Sequence, residues 1–205
     1  MSDGWAEVSL GFVAEAHRRR VEPALLGETL LIHYSIPVLD ETDLPVAEPA
    51  SRIASQKFAV LEDSVLVSLL NPRIPRVWRA VGGANTVCST EFAVLRPLPD
   101  APLLLEYLLA CCQTTRFWER LQSRAVGTTG SRQRAKVGGL LTIPILLPSI
   151  EEQASIVDLL SAMTSEIEAI EAEGRAARSL RATIREGVLL GEPRIDSRYD
   201  SMRHS

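Results

Sequence analysis

The chain has 205 residues, 46% hydrophobic and 23% charged, a balance that suits a globular protein with one substantial core and excludes a disordered one. No apolar run approaches the roughly 20 residues needed to cross a bilayer, and the opening MSDGWAEVSLG lacks the basic flank and long apolar stretch of a signal peptide; the expectation is a cytoplasmic protein with no membrane contact. The net charge of −4 is unevenly spread: residues 1–49 carry three Arg against nine acids, 50–150 twelve Lys or Arg against six acids, and 151–205 seven Arg against eleven acids. A basic middle between acidic ends suits local phosphate binding without general adhesion to polyanions.

The first half reads as strands. VSLGFV (8–13), TLLIHYSIPVL (29–39), KFAVL (57–61), SVLVSLL (64–70) and TVCSTEFAVLRP (86–97) are rich in β-branched and aromatic residues and are separated by Pro, Gly, Asp or Asn, which predicts a mixed sheet. The period then changes. Leu104, Leu108, Cys111, Thr115, Trp118 and Leu121 recur at three- and four-residue steps, predicting one helix packed on the sheet, with Asp100 as a candidate cap and Gly127 beyond the end. Arg116, Arg120 and Arg124 form a stripe on that helix, a pattern commoner on a solvated face than on a ligand surface.

GTTGSRQRAK (127–136) follows, a loop with no apolar side chain but one alanine and with more hydroxyls and cations than a turn requires. LLTIPILLP (140–148) predicts a short strand that its two prolines confine to an edge. Ser149 and Glu152 have the spacing of a capping box, in which each side chain satisfies the other residue's free backbone donor. The helix that opens there is expected over 151–188, about 57 Å at 1.5 Å per residue. Its apolar stripe runs Ile156, Leu160, Met163, Ile167 and Ile170, continues weakly through Gly174 and Ala177, and passes to Leu180, Ile184 and Val188 in a shifted register. Such a stripe predicts a partner helix; a helix folded back on its own domain after a break at Gly174 is the competing arrangement. The expected fold is α+β, with a mixed-sheet domain over 1–148, a long helix over 149–190 and a polar, mobile tail over 191–205.

Chemistry finds little support. The glycines of GTTGSRQR lie three apart and no Gly-Lys-Ser/Thr follows, so the phosphate cradle of a P-loop is missing. Cys88, Cys111 and Cys112 have no metal spacing, and His17, His33 and His204 are widely separated, so neither a metal nor a cofactor is expected. What remains is a set of donors on loops: Arg73, Arg76 and Arg79; Ser89 and Thr90; and Thr128, Thr129, Ser131, Arg132, Arg134 and Lys136. Hydroxyls and cations of this kind suit phosphate positioning, and arginine suits guanine edges.

Five segments in order, WAEVSLGFV, EDSVLVSLLNP, CSTEFAVLRP, LLEYLLACCQTTRFWERLQSRAVGTTGSRQR and LLTIPILLPSIEEQASIVDLL, make the chain resemble the specificity subunit of type I restriction-modification systems over about residues 5–190. The glycine usual in that family before the strand at 64–70 is replaced, as Glu62-Asp63-Ser64 stands there. The resemblance implies a target recognition domain on double-stranded DNA followed by a spacer helix that packs antiparallel on another, with a DNA methyltransferase (modification) subunit, and in restriction complexes a restriction subunit, supplying the catalysis. Members of the family carry two such domain-and-helix units. This chain carries one, so the resemblance implies a half-subunit that dimerises, as a homodimer or with a different half, through Ile156, Leu160, Met163, Ile167, Ile170, Ala177, Leu180 and Ile184. It also implies a DNA-facing role for 127–136, with Thr128, Thr129 and Ser131 on phosphates and Arg132, Arg134 and Lys136 adding charge. A helix-mediated assembly adaptor without DNA recognition is the alternative.

Overall fold

The computed structural model describes residues 4–127 and 133–190. Three sheets are formed from eleven strands: β1 (Ala6–Ser9), β2 (Ala14–His17), β3 (Arg20–Val21), β4 (Leu30–Tyr34), β5 (Val46–Pro49), β6 (Lys57–Ala59), β7 (Ser64–Ser68), β8 (Val77–Ala80), β9 (Thr86–Ser89), β10 (Phe92–Pro97) and β11 (Pro144–Leu147). One sheet is antiparallel, in the order β2-β10-β7-β8; another is mixed, β3-β6-β9-β4-β5, with β4 and β9 parallel; β1 and β11 form an antiparallel pair. The helices are α1 (Ile36–Thr42), α2 (Leu105–Gln113), α3 (Thr115–Gln122), α4 (Val137–Leu141) and α5 (Ile150–Leu189).

The four-stranded sheet is the middle of three layers. In β7 and β10, Val65, Val67, Ala93 and Leu95 face a core closed by Leu108, Trp118, Leu121 and Leu140 from the helices. Leu66, Phe92 and Val94 face the opposite way, into a second core with Tyr34, Phe58 and Cys88 of the five-stranded sheet. With both faces covered, β7 is buried at every position and reads as a continuous apolar run rather than an alternation. Trp78 is central to the second core: its ring meets Tyr34 edge-on at a centroid distance of 5.4 Å, and its Nε1 donates to the Asp43 carbonyl at 3.1 Å.

Several expected elements are divided by local chemistry. The strand expected over 8–13 stops at Ser9, because the Leu10 N–H donates to the Ile143 carbonyl and a 3-10 turn (Leu10–Phe12) carries Leu10 into the core. That expected over 29–39 ends at Tyr34, where the Ser35 hydroxyl caps α1 and Pro37 occupies the first turn, where no N–H is needed. TVCSTEFAVLRP is two strands, with Ser89 Oγ accepting the Glu91 N–H in the turn. The single helix expected between Asp100 and Gly127 is two: Thr114 is extended and its hydroxyl caps α3 by accepting the Phe117 N–H. Asp100 is not the cap of α2. Leu104 holds that position, and its N–H donates to Gln153 Oε1 at 2.9 Å. The first residues of LLTIPILLP complete α4, so its strand is confined to Pro144–Leu147. The prolines agree with its pairing to β1 alone.

The capping box forms as the spacing requires, with Ser149 N donating to Glu152 Oε2 at 3.1 Å and Glu152 N to Ser149 Oγ at 3.2 Å. Beyond it α5 runs without a break through Gly174 for 40 residues, about 60 Å. Its uninterrupted path removes the need for a shifted register. Continued steps of four and three from Ala177 reach Arg181, Ile184 and Val188, so the last two lie on the original stripe and Leu180 beside it. The chain divides into two compact units, with the boundary between Val157 and Asp158. The first two turns of α5 belong to the first unit: Gln153 is fully buried and its Nε2 donates to the Pro102 and Pro148 carbonyls, while Ile156 and Val157 pack on the core beside the helices.

Candidate nucleic-acid interface

The glycine- and hydroxyl-rich loop is held by its ends. Val126 and Arg134 exchange both backbone hydrogen bonds, the Gln133 carbonyl accepts the Asn71 N–H at 2.8 Å, and Ala135 N donates to the Leu69 carbonyl at 2.9 Å. This stem is thereby joined to the segment that leaves β7, where Asn71 takes a left-handed conformation at φ 48°. Arg134 makes a bidentate pair with Glu91 at 3.0 and 2.6 Å, which links the stem to the β9–β10 turn containing Ser89 and Thr90. Three of the segments singled out in the sequence therefore meet. Thr128, Thr129, Ser131 and Arg132 lie outside the described residues; Lys136 is exposed at the N-terminal end of α4.

The other candidate cations are more committed than their sequence suggests. Arg76 is bidentate to Asp40 at 2.7 and 2.8 Å, and this hydrogen bond holds the Asp40 carboxyl below its ordinary pKa. Arg79 bridges Asp63 and Glu106. Arg73 is exposed and has no ion pair among the described residues. Arg120 donates to the Pro144 carbonyl and pairs with Glu7, and Arg124 donates to Thr142 Oγ1 and to the Arg120 carbonyl, so two members of the helical stripe serve packing between α3 and its neighbours.

The structure adds cations that the charge tally concealed. All three arginines of residues 1–49 are contiguous: Arg18 and Arg19, between β2 and β3, and Arg20, the first residue of β3, are exposed and carry no side-chain hydrogen bond or ion pair among the described residues. Arg18 and Arg20 line a polar cleft of about 410 Å³ with Ser55, Gln56, Phe58 and Thr90. Gln56 is held by Glu22. The signal available in the sequence was the run HRRRV itself, which the nine acids around it offset in any regional sum.

No nucleophile stands out among the described residues. Burial pushes the Cys88 thiol up to about 12 and Cys111 to about 11, far from the thiolate that reactivity requires. No group of three or more metal-ligating side chains occurs among them, and no described helix is long and apolar enough to cross a membrane.

The second unit offers a different surface. Leu160, Met163, Ile167, Ile170, Ile184 and Val188 are all exposed on α5, at 40 to 60% of their full accessibility. Charge along the helix is polarised: residues 158–173 hold five acids and no base, whereas 174–189 hold four arginines and one glutamate.

No family model and no curated protein matches the chain. Solved structures do. The HsdS subunit from Thermoanaerobacter tengcongensis superimposes with a TM-score of 0.67 at 23% identity, over 93% of this chain and 48% of that one. The fold is that of a type I restriction-modification S subunit. A chain from work on complex assembly and conformational transition of the type I R-M system gives 0.68 at 22% identity, over 96% of this chain and 52% of its own. The type I S subunit from M. genitalium gives 0.57 at 15%, over 91% and 46%. The chain thus spans about half the length of the S-subunit structures it matches.

Proposed function

We propose that the chain is a non-catalytic DNA sequence-recognition subunit of a type I restriction-modification methyltransferase complex. Its first unit binds one half of a split site on double-stranded DNA, and a modification subunit, with a restriction subunit where one exists, supplies catalysis. The observation that carries this reading is the cleft between Arg18, Arg20, Ser55 and Thr90. Arg76, Arg79 and Arg134 are neutralised by carboxylates, whereas the Arg18 and Arg20 guanidiniums stand beside hydroxyls, the donor set that positions a phosphate backbone. Arg73, Lys136 and the 128–132 segment extend the same role, and Arg134 orders the stem on which that segment is carried.

The second unit closes a homodimer. An apolar stripe with an acidic half and a basic half is complementary to itself only when a second copy runs antiparallel, and a two-fold arrangement of this kind presents two recognition domains to an inverted repeat. The stripe used is Leu160, Met163, Ile167, Ile170, Ala177 and Ile184, with Leu180 at its margin.

Replacing Arg18, Arg19 and Arg20 together by Ala tests the carrying observation. Binding should weaken on all duplexes alike, and the log–log dependence of affinity on salt should flatten by about 0.9 for each phosphate that is no longer neutralised. An unchanged slope would remove these arginines from the interface and favour the adaptor reading.

A further inference from the structure

The outer face of the five-stranded sheet has two unlike halves. Strand register puts Leu31, His33, Glu48, Val87, Ser89 and Lys57 on this face. Leu31 and Val87 are covered by Ala50 and Ile53, which close a small third core. The rest of the face is a polar row with one residue on each of four adjacent strands: Glu48, His33, Ser89 and Lys57. His33, Ser89 and Lys57 of this row line a pocket of about 310 Å³ together with Ser35, Ile36, Pro37, Leu70 and Glu91.

Inside this row the hydrogen bonds do not close. His33 Nδ1 is 2.7 Å from Glu48 Oε1, which assigns the ring proton to Nδ1 and leaves Nε2 as an acceptor. Nε2 is buried and has no partner among the described residues. Burial also lowers the His33 pKa, favouring the neutral ring in which Nε2 keeps its lone pair. Lys57 Nζ gives two of its three protons to the Ser55 carbonyl and hydroxyl, at 3.0 and 2.6 Å. A buried acceptor without a donor is costly, and its persistence beside an open pocket points to a ligand that supplies the donor.

Building on the DNA reading, we infer that this pocket is the base-reading element of the recognition unit, with His33 Nε2 accepting from the exocyclic amino group of an adenine or cytosine. The buried acceptor stands at an open pocket, and the exocyclic amino groups of adenine and cytosine are the donors that paired bases present in the major groove. Guanine and thymine present only acceptors in the major groove and leave His33 unsatisfied, so the row discriminates by amino group. The pocket borders the same β9–β10 turn as the arginine cleft, with Ser89 in one and Thr90 in the other, so phosphate positioning and base reading are neighbours.

The test is selection from a duplex library with a randomised core, using the full chain. The original protein should select a site with one position restricted to adenine or cytosine. His33→Phe, which keeps a planar ring but removes the acceptor, should relax that position by roughly 5- to 100-fold in relative affinity while the salt slope stays unchanged. Identical selection by the variant overturns the inference and leaves the DNA reading standing. Because Phe also deprives Glu48 of its donor, a second measurement uses the original chain. The ¹⁵N resonance of His33 Nε2 should move when the selected duplex is added, and should stay in place for a duplex changed at that position; an unmoved resonance with the selected duplex overturns the inference too. A chain that prefers no duplex over another defeats the DNA reading, and this inference with it.

Discussion

Residues 4–157 and residues 158–189 handle their apolar side chains in opposite ways. The first unit closes two large cores around one sheet, with Leu66, Phe92, Leu95 and Leu108 almost fully buried. In the helical unit every large apolar side chain from Leu159 to Leu189 is exposed, although the helix itself is regular and well capped. The contrast separates two kinds of stability. One unit satisfies itself within the chain, whereas the other has local propensity and an amphipathic stripe but needs a second helix to bury it.

The largest break of this contrast is at the stripe. Ile167→Ser with Ile170→Ser removes four apolar side chains from a two-fold dimer, a loss of about 6 kcal/mol or more at 1.5 kcal/mol or more each, and so at least four orders of magnitude in association. Mass in solution should fall to that of a monomer, and the denaturant midpoint of the first unit should not move. Phe92→Ala makes the converse change. It opens a cavity between Trp78, Tyr34 and the two sheets, costing about 3–5 kcal/mol of stability measured by denaturant unfolding, while the helix stripe is untouched.

The smallest effect concerns acid. His33 is buried and its pKa is lowered from the ordinary 6.5, so between the folded value and 6.5 the unfolded chain binds more protons than the folded one. The stability linked to keeping this ring neutral is fully present above about pH 6.5 and declines as pH falls below it. Unfolding of the first unit followed from pH 8 to 5 should show that decline, and His33→Phe should remove it.

Legibility followed the same division. The capping box at Ser149 and Glu152, the bounds of α5 and the apolar strands β7 and β10 were plain in the sequence, because each depends on interactions within a few residues or on burial of a whole run. Strands β2, β5 and β8 were not: AEAH, VAEP and VWRA have no clear apolar alternation, and they are strands because neighbours supply their ladders. The break at Thr114 was hidden too, since apolar spacing continues across it and only the threonine's hydroxyl, turned to cap α3, divides the helix. Gly82 is a further case. A Cβ there would collide with the Glu62 backbone, while its N–H donates to Asp63 Oδ1 at 2.9 Å, so the turn that lacks a glycine at Glu62-Asp63-Ser64 has one packed against it from the β8–β9 connection.

By itself the sequence determined the composition of the interface: which loops carry hydroxyls and cations, where the long helix starts, and which of its faces is apolar. Those are properties of residue type and spacing, and they survive without knowledge of the rest of the chain. Only the tertiary structure decided which cations are free. Asp40, Asp63, Glu106 and Glu91 lie 27 to 43 residues from the arginines they neutralise, or across a hairpin of 16, whereas Arg18 to Arg20, set in the most acidic stretch of the chain, meet no carboxylate among the described residues. Charge pairing falls steeply with distance in space and is indifferent to distance along the chain, so the fold, not the regional sum, determines where a phosphate finds an unshared guanidinium.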